Sequence, residues 1–145
     1  MTTRLHCIVL AAMVLIVPVL ILAACATPPA PASAKLGEQI SLAIGQSATV
    51  SGEGLTVSFD DLTADSRCPD GAKCIWAGQA VCELKVTSGG STSSVTLTVL
   101  GGTASTSSQA FGPYRLDFKV TPYPKVGEQI ARADYRLLLT VTKPA

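Results

Sequence analysis

In Tyr114-Arg115-Leu116-Asp117-Phe118-Lys119-Val120 every second residue is apolar and each residue between is charged. Successive side chains on a pleated strand point to opposite faces, so this period of two predicts a half-buried antiparallel strand. Val95-Thr96-Leu97-Thr98-Val99 repeats the pattern with threonine outward, and Tyr135 to Val141 repeats it with Leu138 as the exception. Ile40 to Ile44, Ala48 to Val50, Leu55 to Phe59 and Ala80 to Val86 are further strand candidates. At Asp60-Asp61 the phase slips before Leu62, which suits one extra residue in a β-bulge.

No segment carries a 3.6-residue apolar stripe. Seven or so short strands, separated by Gly, Pro and Ser, predict an all-β domain. An antiparallel two-sheet sandwich of the immunoglobulin-like kind is the expected architecture, with a small β-barrel as the alternative. Ser88 to Ser94 and Gly101 to Ser108 have the composition of flexible, solvated connections. Pro122-Tyr123-Pro124 reads as a rigid turn that ends the strand before it. Gly37-Glu38-Gln39-Ile40 recurs as Gly127-Glu128-Gln129-Ile130, but four residues without a sustained period make no internal repeat.

Apolar residues make up 48% of the chain and are concentrated at its front. Ile8 to Ala24 is an almost unbroken apolar run behind Arg4 and His6, the layout of an export signal. It ends in Leu22-Ala23-Ala24-Cys25, which resembles the lipobox of bacterial lipoproteins: an aliphatic residue, two small residues and a cysteine. The resemblance implies that residues 1–24 are removed and that the Cys25 thiol carries diacylglycerol as a thioether. Two or three acyl chains, at about 0.8 kcal/mol per buried methylene, hold a domain at a membrane where one chain is marginal. Residues 25–35 then form a lipidated cysteine and an Ala/Pro-rich tether, reaching some 30 Å at about 3.1 Å per residue. Residues 36–145 are the expected single β-domain.

Without residues 1–24 the eleven basic residues lose Arg4, leaving ten against ten acidic ones. A neutral, interspersed surface does not suit nucleic acid, whose phosphates call for a basic excess. The single histidine, His6, is lost with the same segment. What remains has no imidazole for a Ser-His or Cys-His pair, or for a zinc site. No phosphate-binding loop is present, and no cofactor is implied; a non-enzymatic role is the expectation.

The stretch Asp65-Ser66-Arg67-Cys68-Pro69-Asp70-Gly71-Ala72-Lys73-Cys74-Ile75-Trp76-Ala77-Gly78 contains the one tryptophan. Two cysteines around Pro69-Asp70-Gly71 are placed for a disulfide-closed turn, which persists outside the cytoplasm; Cys68 is expected to pair with Cys74. Cys82 shares a phase with Ala80, Leu84 and Val86 and should be an inward-facing thiol. Pairing of Cys74 with Cys82, or a three-cysteine metal site lacking a fourth ligand, are the alternatives. The Cys-x5-Cys-Ile-Trp-Ala-Gly string, with the later Pro-Tyr-Pro and the closing Tyr-led strand, resembles a family of small, uncharacterised bacterial secreted proteins and lipoproteins over about residues 55 to 142. That resemblance implies an exported β-rich domain and no particular activity; Cys82 is an addition to its pattern.

Three functional readings follow. A surface-tethered binding module would use Arg67, Asp70, Lys73 and Trp76 as contacts. The plainer account puts Trp76 in the core and pairs Arg67 with Asp65 on the surface. A protease inhibitor would present Arg67 or Lys73 on the constrained loop. A calcium binder would use Asp60, Asp61, Asp65 and Asp70, although the spacing of an EF-hand loop is absent.

Overall fold

Each alternating segment of the sequence becomes a strand that buries one set of side chains. The computed structural model describes residues 31–102 and 105–144. Nine strands are formed: β1 (Ala32–Ala34), β2 (Gln39–Ala43), β3 (Ser47–Val50), β4 (Leu55–Asp65), β5 (Gln79–Ser88), β6 (Ser91–Leu100), β7 (Ser107–Phe111), β8 (Tyr114–Thr121) and β9 (Arg136–Thr142). They make two sheets, one in the order β1-β3-β4-β5-β6 and the other β2-β9-β8-β7. All pairings are antiparallel except β1 with β3. The sheets share no strand pairing among the described residues, so the fold is a β-sandwich and not a barrel.

The core is one cluster built from the inward phase of both sheets. Leu55, Val57, Phe59, Ala80, Leu84, Val86 and Leu97 come from one; Leu42, Leu116, Phe118, Leu137, Leu139 and Val141 from the other. The predicted bulge is present: β4 shifts register against β5 between Phe59 and Asp61, and again between Leu62 and Ala64. Cys82 is a free, fully buried thiol inside this cluster. Burial pushes its thiol up to about 12, so it stays protonated and behaves as a small apolar side chain.

Three expectations are corrected. Ala32–Ala34, assigned to the tether, instead forms β1 and places Ala34 in the core, so the domain starts before Leu36. Ser91 to Ser94 is not loop but the start of β6, joined to β5 through Gly89-Gly90 with φ +57° and +80°. Consecutive positive φ values make the turn whose twist matches a two-residue hairpin, and glycine takes them without strain. Ser107 and Ser108, given to a flexible connection, open the edge strand β7. The expected signal segment 1–24 and the acylated Cys25 lie outside the described residues. Among those residues, no helix is long and apolar enough to cross a membrane.

Candidate functional site

The two ends of the sandwich are closed differently, and the sequence motifs fall at one of them. β4 ends at Asp65 opposite Ala80, β5 begins at Gln79 opposite Leu100, and β8 ends at Thr121 opposite Arg136. All three junctions face the same way. Residues 66–78 therefore share one end with Gly101-Gly102 and with Pro122 to Val126.

Cys68 and Cys74 are joined as expected, with Cα atoms 5.9 Å apart. Closing so short a loop restricts the unfolded chain by about 2 kcal/mol. The loop is also sewn into its neighbours by backbone hydrogen bonds: Cys68 N donates to Ala77 O (2.8 Å), Asp70 N to Pro124 O (2.8 Å) and Val126 N to Asp70 O (3.2 Å). Two glycines allow this close approach. A Cβ on Gly78, at φ +70°, would lie 1.9 Å from Ser66 O, and one on Gly101 would lie 1.9 Å from Ala77 O.

Beneath the loop lies a polar anchor. Arg67 is only 4% exposed and is the one buried charged residue among those described. Its Nε and Nη2 donate to both carboxylate oxygens of Asp65, at 2.8 and 2.7 Å. Nη1 donates to Val120 O (2.8 Å) and Nη2 also to Pro122 O (3.1 Å), so one side chain from the first sheet satisfies two carbonyls at the end of β8 in the second. The guanidinium carbon stacks 5.1 Å from the centre of the Tyr123 ring, whose hydroxyl accepts from Gly102 N (3.0 Å). Tyr135 completes the group by donating its hydroxyl to Asp65 Oδ2 (3.1 Å). Burial pushes the Asp65 carboxyl upward, but the hydrogen bonds and charge of Arg67 outweigh it and hold the group below the ordinary carboxylate range. Burial, with the Asp65 carboxylate beside it, raises the Tyr135 phenol.

Above the loop is an open concavity of about 560 Å³, bounded by Pro69, Lys73, Cys74, Ile75, Trp76 and Tyr123 among others. Trp76 is 67% exposed and Ile75 is fully exposed. Trp76 is the only exposed aromatic of the chain's seven.

The four candidate contacts therefore separate. Asp70, Lys73 and Trp76 come together on the surface of the loop, while Arg67 lies below it and presents nothing to a partner. The plainer account pairs Arg67 with Asp65 as found, but misplaces both features: Trp76 is not in the core, and the Arg67–Asp65 pair lies beneath the loop rather than on the surface. An inhibitor reading keeps only Lys73. The four aspartates proposed for calcium are apart in their engagements: Asp60 pairs with Lys85, Asp61 with Arg132 and Asp65 with Arg67, while Asp70 is held through its backbone. No group of three His, Cys, Asp or Glu placed to hold a metal occurs among the described residues. The parts played by Tyr135 and Gly101 leave no mark in the local sequence. Pro122-Tyr123-Pro124 was legible as a turn, but its place beneath the cysteine loop depends on tertiary structure. Compared with protein-family models, curated proteins and solved structures, the chain matches none of them.

Proposed function

We propose that the chain is a membrane-anchored extracytoplasmic lipoprotein that acts as a non-enzymatic interaction module, with the disulfide-loop end as its working surface. The observation that carries the second half is the exposure of Ile75 and Trp76 on a loop fixed by a disulfide, two close glycine contacts and a buried arginine. Large apolar side chains held rigidly in water gain on binding without a large ordering cost, which is how interface anchors work. The first half is supported by Leu22-Ala23-Ala24-Cys25 and by a disulfide that suits an oxidising compartment. Metabolic labelling with a fatty-acid probe tests the anchoring. The chain should take up label and shorten to begin at Cys25, and Cys25→Ser should lose the label; uptake unaffected by Cys25→Ser would remove this reading.

A further inference from the structure

We propose that β6 is an interface between two copies of this chain, which pair antiparallel along its free edge about a two-fold axis at Val95. This surface is separate from the disulfide-loop end and does not depend on the anchoring. The strands at the sheet edges are β1, β6, β2 and β7. β1, β2 and β7 are short, at three, five and five residues, but β6 runs for ten. Native edges of that length are guarded by a lysine, a proline or a bulge. Ser91–Leu100 holds no charge and no proline, and its pairing with β5 runs without a register shift.

The phase of the hydrogen bonds decides what this edge presents. Gly101 N donates across to Gly78 O, whereas Leu100 N turns the other way, to Ser107 Oγ. Antiparallel strands alternate in this way residue by residue. The odd-numbered residues of β6 therefore bond β5, and the even-numbered ones turn their N–H and C=O away from it. On Thr92, Ser94, Thr96 and Thr98 none of these main-chain groups has a partner among the described residues. Such a row is a template for one more strand.

Self-complementarity selects a second copy as that strand. With Val95 opposite Val95, Thr92 meets Thr98 and Ser94 meets Thr96, and each such pair exchanges two hydrogen bonds. Every outward group of these residues is then used on both strands. The side chains that meet on the solvent face are hydroxyls, which the domain already pairs across strands at Thr49 and Thr56 (3.2 Å) and at Thr87 and Thr92 (2.8 Å). With no charge on β6, no like charges are opposed. The same axis sets the second copy's Gly89-Gly90 turn beside Leu100. There an open concavity of about 500 Å³ is lined by Thr98, Leu100 and residues 105–108, and a turn without side chains has the shape to enter it. An isologous contact of this kind closes at a dimer.

The full chain in detergent, with micelles in excess, should sediment as a dimer whose share rises with protein concentration. The amide protons of Thr92, Ser94, Thr96 and Thr98 should exchange about tenfold more slowly under dimer conditions than when diluted. Ser94→Pro removes an N–H that β5 does not use and should weaken the dimer about thirtyfold, since each copy loses one donor. Ser94→Ala keeps that N–H and should alter dimerisation by less than about twofold. A chain that is monomeric at every concentration overturns the proposal. So does a dimer whose four edge amides exchange at the diluted rate, which would place the contact on another surface such as the Trp76 loop. Edge amides already protected in the monomer overturn it too, because a segment of the same chain then covers β6. The amide readout needs no substitution, so it decides the matter even where Ser94→Pro does not fold.

Discussion

The two ends of the sandwich solve the same problem by different physics. At the far end the strands turn back through short glycine turns such as Gly89-Gly90, with no neighbour near either Cα to crowd a side chain. β9 ends there too, with Lys143 and Tyr114 both bonded to the half-buried Glu53 carboxylate. At the disulfide end, long connections are stacked against one another and held by a covalent bond, two crossings too close for any side chain but glycine's hydrogen, and a buried ion pair. Local turn chemistry suffices to close a sheet. Presenting a fixed surface requires contacts that cross from one connection to the next.

The sharpest way to break this contrast is to remove the anchor. Arg67→Met leaves the Asp65 carboxylate buried without its partner and two β8-end carbonyls without a donor, and should destabilise the fold by about 3–4 kcal/mol in urea unfolding. The double variant Arg67→Met/Asp65→Leu should recover most of that, because an apolar pair replaces a satisfied one. A single variant costing under about 1 kcal/mol would place Arg67 among ordinary surface residues and dissolve the difference between the ends.

Glycine substitutions compare the ends directly. Gly78→Ala forces a Cβ onto Ser66 O and should cost about 3 kcal/mol. Gly90→Ala has the same unfavourable sign of φ but open space, and should cost only about 1 kcal/mol. Equal losses in the two melts would mean that backbone conformation alone, and not close packing, sets the cost at the disulfide end.

How far these differences were readable from the sequence follows the same division. Period two located the inward faces of β2 to β6, β8 and β9, because half-burial writes itself into alternation, and the extra residue at Asp60-Asp61 marked the bulge. β1 and β7 escaped notice since Ala32-Ser33-Ala34 and Ser107-Ser108-Gln109 have too little apolar contrast to show a face. The disulfide and the inward Cys82 were legible from spacing and phase. Arg67 was not. Its burial depends on two carbonyls more than fifty residues away, which no local pattern in 65–78 encodes.

Acid should also tell the ends apart. The Asp65 carboxyl titrates below its ordinary value of about 3.9 when folded. The unfolded chain therefore takes up this proton first as pH falls, and the pair's contribution is intact above about pH 4 and lost as pH drops through the folded value. Glu53 and Asp117 are lowered as well, by hydrogen bonds from Tyr114 and Ser108 respectively, but their basic partners Lys143 and Arg115 stand in water, and salt screens the contribution of these pairs. Unfolding followed from pH 6 to pH 2 should show a loss of stability that persists at high salt and becomes shallower in Asp65→Asn. A loss abolished by salt would assign the acid limb to Glu53 and Asp117 instead.

The smallest effect is expected where a tryptophan usually gives one of the largest. Truncating a packed Trp to Ala costs about 3–5 kcal/mol, yet Trp76→Ala should leave unfolding within about 0.5 kcal/mol, because the side chain stands mostly in water above the loop. The comparison with Arg67 then becomes a separation of roles within ten residues. One side chain is held inside to fix the loop, the other is held outside by it, and only the first belongs to the stability of the fold. Should Trp76→Ala instead melt the domain as a core truncation does, Trp76 would be packing rather than surface, and the loop would offer a partner Ile75 alone.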